Sequence, residues 1–134
     1  MADLGAGFQT KRLPAAADTV APDGSDVRVL LALPRGSFAH FALAPGRTSR
    51  AVAHRSVEEI WFFLSGRGEM WRKLDAAEQI VGVDAGVCVT IPAGTHFQFR
   101  ASGTETLSAV AVTMPPWPGA DEAYAVTGPW RATA

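Results

Sequence analysis

The chain has 134 residues, of which 48% are hydrophobic, so it can bury one core without help from disulfides or metal ions. Its 12 Lys and Arg and 13 Asp and Glu give a formal net charge of −1 and form no basic stripe. We therefore expect one compact domain that binds neither nucleic acid nor membrane.

Two features concern the cellular compartment. The N-terminal sequence MADLGAGFQTKR lacks an apolar segment of signal-peptide length, and no stretch approaches the length of a membrane-spanning run. The single cysteine, Cys88, lies in an apolar run and is predicted to be a small buried side chain, with no intrachain disulfide. These features predict a cytoplasmic protein.

The two ends of the chain differ in composition from its middle. Residues 1–26 are rich in Ala, Pro, Gly and Asp and include the turn sequence PDGSD, so we expect a loosely structured arm. Residues 115–134 contain prolines at a density that central strands do not tolerate. We expect them to form a tail whose Trp117 and Trp130 cover a barrel end or a dimer seam.

Between the ends, residues 27–114 alternate short β-type runs with turn residues, and no run has a sustained helical period. The runs are VRVLLAL, SFAHFALA, EEIWFFLS, EMWRKL, AEQIVGV, VCVTIP, HFQFRA and TLSAVAVTM. This rhythm predicts about eight antiparallel strands in a sandwich or closed barrel.

The aromatic run EEIWFFLS carries a carboxylate into this barrel. Alternate residues of a strand share a face, so Glu59 lies on the side of Trp61 and Phe63, and the apolar character of the whole run predicts that both faces are buried. The glycine-rich SGRG that follows predicts a hairpin to EMWRKL. A register that pairs Leu64 with Glu69 would bring Arg72 near Glu59 as a counter-charge.

Two stretches of the chain resemble the two motifs of the cupin family. The first motif is Gly, five residues, His-x-His, three or four residues, Glu, six residues and Gly. The second is Gly, five residues, Pro-x-Gly-x-x-His and then Asn. The matching positions of both motifs are Gly46, His54, Glu59, Gly66, Gly86, Pro92 and Gly94. Val52 and Phe97 stand where the family has His, and Ala101 stands where it has Asn. The resemblance implies an all-β, antiparallel double-stranded β-helix, the jelly-roll barrel of cupins.

The resemblance also bears on metal binding, because cupins typically hold Fe, Mn, Zn or Ni with three His and one Glu. His54 and Glu59 match two of these four ligands, so they are the candidate metal ligands. Since two ligands seldom hold a metal tightly, a metal-free pocket is the first expectation and a weakly held divalent metal is the alternative. His96 would need a β-bulge to point inward, and His40 is a further candidate for the interior.

The candidate catalytic residues are His54 and Glu59. Each has a plainer alternative: a loop histidine at the barrel rim for His54, and a structural ion pair with Arg72 for Glu59. Substrate binding is assigned to further residues that line or enter the predicted pocket: Trp61, Phe63, Met70, Arg72, His40, His96, Phe97 and Phe99. Three arginines around the His54 loop form either a solvated rim or a clamp for an anionic substrate: Arg47, Arg50 and Arg55.

These assignments predict a protein whose barrel binds a small, partly aromatic or anionic organic molecule. The resemblance implies several reactions, of which isomerisation, cyclisation or lyase chemistry by acid and base fits best. Dioxygenation fits least, because iron oxygenases need three firm ligands. The alternatives are a non-catalytic binding or sensing module and an inert scaffold. The partners expected are a small ligand and a second copy of the chain, because exposed β-edges and the two ends need covering.

Overall fold

The computed structural model describes residues 7–134, and these are built almost entirely from β-strands. The first six residues of the predicted arm lie outside the described part of the chain. The strands are β1 (Thr19–Val20), β2 (Asp26–Leu33), β3 (Gly36–Leu43), β4 (Val52–His54), β5 (Glu58–Ser65), β6 (Arg67–Leu74), β7 (Ala77–Asp84), β8 (Cys88–Ile91), β9 (His96–Ser102), β10 (Leu107–Met114) and β11 (Ala123–Ala125). A 3-10 turn, Ala120–Glu122, precedes β11. None of the described helical segments is long and apolar enough to cross a membrane.

The strands form two antiparallel sheets that face each other. The first sheet has the order β1-β2-β3-β10-β5-β8, and the second has the order β11-β4-β9-β6-β7. Neighbours in the sheets are often distant in sequence, as in a jelly roll, so the predicted all-β, double-stranded β-helix fold is confirmed. All eight predicted runs are strands. The three additional strands, β1, β4 and β11, have only two or three residues each, too few to show a period in the sequence.

Strand β5 shows how the faces are used. Glu59, Trp61 and Phe63 are buried between the sheets, whereas Ile60 and Phe62 on the opposite face are 45% and 43% exposed. The predicted alternation is therefore confirmed, but the prediction that both faces are buried is wrong. The sequence of β5 is apolar on both faces. This pattern fits a strand buried on both sides, and it fits equally well a strand whose second face is the outer surface of the barrel.

The connection from β5 to β6 corrects the predicted hairpin. Strand β5 pairs with β10 and β8, and β6 pairs with β9 and β7, so the two strands belong to different sheets. The chain crosses between the sheets at Gly66, which has φ 77°. A Cβ atom at this position would collide with the carbonyl oxygen of Thr106. Glycine is therefore needed at position 66 because the chain passes close to the backbone of Thr106 as it crosses between the sheets, and not because it turns a β-hairpin.

The core lies between the two sheets, and described residues of both the N-terminal arm and the C-terminal tail contact the barrel. Strand β1 pairs with β2, and Asp23 in the predicted loose arm is only 4% exposed. At the other end, Trp130 exchanges hydrogen bonds with the side chain of Gln98 on the outer side of the second sheet. Cys88 is exposed, so its predicted burial is wrong. It pairs with Phe62 on the neighbouring strand, and both side chains lie on the outer face of the sheet.

Candidate functional site

A cavity of about 510 Å³ opens between the sheets. Most of its wall is apolar and aromatic, and this part of the wall includes Val27, Phe41, Val52, Trp61, Phe97 and Trp117. The polar groups on its wall include Asp23, Ser37, His54, Glu59 and Thr113. A concave apolar site with a few convergent polar groups is the usual form of a small-molecule pocket.

Glu59 reaches the cavity because it lies on the inner face of β5. Glu59 is 3% exposed, and its carboxyl group accepts a hydrogen bond of 3.0 Å from Trp61 Nε1, two residues further along the same face. Burial raises the pKa of Glu59 from 4.5 to about 7; the Trp61 hydrogen bond opposes this shift, and the charges of Asp23 and Glu122 add to it. Near neutral pH the group therefore occupies both protonation states.

His54 ends the short strand β4 and lies beside Glu59 at the cavity wall. Its Nδ1 lies 3.8 Å from Glu59 Oε1, too far for a hydrogen bond, and it has no hydrogen-bond partner among the described residues. The rings of Phe97 and Trp117 pack against the imidazole in T-shaped geometry, with centroid distances of 5.3 and 5.0 Å. Burial lowers the pKa of His54 from 6.5 to about 4, although the charge of Glu122 opposes the shift. The imidazole is therefore neutral at pH 7.

Glu122 was not predicted as a site residue. The residue is 6% exposed, and its carboxylate accepts hydrogen bonds from Ser56 N at 2.7 Å, Ser56 Oγ at 2.6 Å and Val57 N at 2.9 Å. Burial works to raise the pKa of Glu122, but these hydrogen bonds outweigh it and hold the pKa below its ordinary value. Glu122 thus places a fixed negative charge near His54 and Glu59 and ties the tail to the loop before β5.

Asp23 and Trp117 were also missed as site residues. Asp23 accepts hydrogen bonds from the backbone and hydroxyl of Ser25, and burial raises its pKa despite these bonds and the nearby charge of Arg50. The backbone N–H of Trp117 donates to Ser37 Oγ at 3.0 Å, which fixes its ring beside His54. Asp23 lies in a turn sequence and Trp117 in a proline-rich stretch, so neither has a pattern that signals a pocket.

The residues around the cavity do not fit the metal ion that cupin motifs imply. Val52 and Phe97, at two of the motif's histidine positions, present apolar side chains to the cavity wall. No group of three His, Cys, Asp or Glu within residues 7–134 is arranged to hold a metal ion. His54 and Glu59 alone offer two ligands, fewer than the three or more protein ligands of typical transition-metal sites.

Arg72 does not act as the counter-charge of Glu59. It lies on β6 in the second sheet, where its guanidinium donates to Thr90 O and to Gln79 Oε1, each at 2.8 Å. It is not among the residues that line the cavity. The predicted pairing failed because it depended on a β5–β6 hairpin that does not form.

The other predicted substrate-binding residues separate into two groups. Trp61 and Phe97 line the cavity, whereas Phe63, Met70 and Phe99 belong to the core beside it. The two remaining histidines lie on outer faces. His40 pairs with Val110, which pairs with outward-facing Phe62, and His96 pairs with Lys73.

The three arginines near the His54 loop form no clamp in the cavity. Arg50 donates to the carbonyl oxygen of Ala134 at 3.3 Å. Arg55 donates to the carbonyl oxygen of Asp121 and stacks over the ring of Tyr124, 4.8 Å from its centroid. Arg47 is exposed, and none of the three lines the cavity.

Comparison with known proteins agrees with this fold. The sequence matches the family model for the cupin domain over residues 39–113. Similar solved structures include a Klebsiella pneumoniae protein with a double-stranded beta-helix domain, with a TM-score of 0.65 at 19% identity over 81% of this chain and 91% of the other. A predicted oxalate decarboxylase from Thermotoga maritima has a TM-score of 0.58 at 22% identity, over 68% and 80%. Streptomyces PAC13, solved with uridine, has a TM-score of 0.68 at 13% identity, over 89% and 92%.

At these identities the similarity is one of fold alone. No curated protein matches the sequence.

Proposed function

The chain belongs to the cupin family, and from that premise we propose that its barrel binds a small, largely apolar organic molecule, with which Glu59 exchanges a proton while His54 hydrogen-bonds it. One observation carries the proposal. A buried carboxyl group, without a cationic partner among the described residues, lies 3.8 Å from an unpaired imidazole nitrogen at the wall of an apolar cavity.

The two groups suit different roles. Because the pKa of Glu59 is about 7, this carboxyl group can both accept and return a proton near neutral pH, as isomerisation, cyclisation and lyase reactions require. His54 is neutral and can hydrogen-bond a developing charge or a carbonyl group of the substrate. No step needs a metal ion, and the donor set does not fit one.

A non-catalytic binding module is the second candidate. The observation that favours it is the replacement of two motif histidines by Val52 and Phe97, which leaves a cavity suited to holding a ligand. In that case Glu59 and His54 would only hydrogen-bond the ligand.

Substitutions on opposite faces of β3 test whether the cavity is the binding site. Ala39 lines the cavity, and Ala42 lies on the other face of the same strand. We expect Ala39→Phe to fill the cavity and abolish binding of compounds that wild type and the control Ala42→Phe retain. Ligand-observed NMR with a library of small carbonyl compounds, with and without amino groups, measures this binding.

Catalysis is tested with the same library in D₂O. Wild type and Ala42→Phe should incorporate deuterium beside the carbonyl group of a bound compound, and Glu59→Gln should slow this exchange at least 100-fold. Binding that survives Ala39→Phe would refute the cavity as the site. Binding without exchange for every compound would favour the non-catalytic module.

We also propose that a second copy of the chain covers the outer face of the first sheet. Ile60, Phe62 and Leu64 form an apolar strip there with 43 to 45% exposure. A two-fold dimer would bury this strip against itself. Light scattering should give the dimer mass, and Phe62→Lys should give the monomer mass. A monomeric wild type at micromolar concentration would refute the dimer.

We also propose a cytoplasmic location, where the exposed thiol of Cys88 would stay reduced.

A further inference from the structure

We infer that the molecule held in this cavity is an organic amine, bound as its ammonium ion with N–H groups directed at Glu59 and His54 and with an apolar body against the aromatic wall. This inference rests on the proposed function, because it concerns the same cavity. It specifies the charge and class of the ligand, which neither the family nor the fold determines.

The charges around the cavity favour a cation. Asp23 and Glu59 are on its wall, Glu122 lies close behind, and no Lys or Arg is found among the described residues of the lining. Arg50 is near enough to Asp23 to influence it but is exposed and turned toward the C-terminal residue. An entering carboxylate or phosphate would find no Lys or Arg side chain on the described lining, whereas an ammonium ion would find carboxyl groups that can compensate its charge.

The geometry of His54 gives a second, independent reason. His54 is 5% exposed, and its Nδ1 has no partner among the described residues although it faces the cavity-lining carboxylate. In the tautomer with the proton on Nε2, this nitrogen is an acceptor. Since Nδ1 and Glu59 Oε1 are 3.8 Å apart, one ligand nitrogen can stand about 2.8 Å from both. A primary or secondary ammonium group has the two N–H donors that this position requires.

The aromatic wall supports the same assignment. Trp61 stacks with Phe41 at a centroid distance of 5.0 Å, and Trp117 packs against the ring of His54. In the tail, both Tyr124 and Trp130 have an arginine guanidinium over the ring, at 4.8 and 4.2 Å. Trp117 lines the cavity, and among residues 7–134 no arginine or lysine lies over its ring, so a ligand cation in the cavity could contact this ring.

Three indoles that differ in one group test the inference: tryptamine with an ammonium group, tryptophol with a hydroxyl group, and indole-3-acetate with a carboxylate. Isothermal titration calorimetry with the full chain at pH 7.5 should give tryptamine at least tenfold tighter than tryptophol. Indole-3-acetate should be at least 100-fold weaker than tryptamine. Glu59→Gln should weaken tryptamine at least tenfold and change tryptophol less than threefold, whereas Ala42→Phe should change neither.

The possible outcomes test the amine assignment and the cavity as binding site separately. If tryptophol or indole-3-acetate binds as tightly as tryptamine and Ala39→Phe abolishes that binding, the cavity remains the site and the amine assignment is wrong. If tryptamine does not bind wild type, the amine assignment is likewise wrong. If all three compounds bind Ala39→Phe as they bind wild type, both the cavity site and the amine assignment fail.

Discussion

Replacing Glu59 with Gln should raise the free energy of unfolding by about 3 kcal/mol at pH 8 and leave it nearly unchanged at pH 4. The pKa of Glu59 is 4.5 ordinarily and about 7 in the folded protein, so the folded state binds this proton more tightly than the unfolded state. The resulting stabilisation is complete below pH 4.5 and is lost as the pH rises through 7, at about 1.4 kcal/mol per pKa unit. An amide in place of the carboxyl group removes the cost of ionisation and still accepts the Trp61 hydrogen bond.

His54→Gln is the matched comparison, because it removes a pH dependence of opposite sign. The pKa of His54 falls from 6.5 to about 4 on folding, so its neutral form is favoured and stability is lost as the pH falls from 6.5 toward 4. In wild type, the Glu59 effect lowers stability and the His54 effect raises it as the pH increases between about 4.5 and 6.5, so the two partly cancel. The stability of Glu59→Gln should therefore rise with pH between 4 and 6.5, and that of His54→Gln should fall between 4.5 and 7.

Urea denaturation of the three proteins at pH 4, 5, 6, 7 and 8 measures these slopes. Parallel curves for wild type and both variants would show that neither group has a displaced pKa. A loss of about 3 to 5 kcal/mol in Glu59→Gln at pH 7 would instead indicate a broken buried ion pair. We do not expect that loss, since Arg72 is bonded to Thr90 and Gln79.

Glu122→Ala should destabilise the fold by about 4 kcal/mol at pH 7. The substitution leaves the buried N–H of Val57 without an acceptor, which costs about 1 to 3 kcal/mol, and it removes two hydrogen bonds from the exposed Ser56, each worth about 0.5 to 1.5 kcal/mol. Glu122→Gln keeps an acceptor for these donors and should cost less than half as much. The exposed neighbour Asp121 provides the control, because Asp121→Ala removes no side-chain hydrogen bond described here and should change stability by less than about 0.5 kcal/mol.

Chemical denaturation at pH 7 measures these differences. Equal stabilities of Glu122→Ala and Asp121→Ala would contradict the role given to the Glu122 carboxylate. Glu122→Gln has a further consequence, since it removes a charge that raises the pKa of both Glu59 and His54. Both pKa values should fall in this variant.

The barrel and half of the site could be predicted from the sequence because they depend on local patterns. Period-two alternation placed Glu59 with Trp61 on the inner face, and motif spacing singled out His54. The motif positions occupied by Val52 and Phe97 showed that two ligands were missing, and both residues indeed line the cavity.

The other site residues and the path of the chain between β5 and β6 depend on contacts between segments that are distant in sequence. Glu122 receives its hydrogen bonds from residues 65 and 66 positions away, and nothing in the proline-rich tail indicates that a carboxylate there is buried. Asp23 likewise lies in a turn sequence that predicts exposure. The crossing at Gly66 could not be distinguished from a hairpin, because both use a glycine with positive φ between two β-type runs. The Arg72 assignment failed for this reason.

The central claim is that the cavity holds a carboxyl group that titrates near neutral pH. Carbon-detected NMR of side-chain carboxyl groups, from pH 3 to 9 in wild type and Glu59→Gln, measures it directly. We expect one glutamate carboxyl signal in wild type with a midpoint near pH 7, and we expect this signal to be absent from Glu59→Gln. If every glutamate carboxyl group of wild type titrates below pH 5, Glu59 is ionised throughout the neutral range and the proposed proton transfer is wrong.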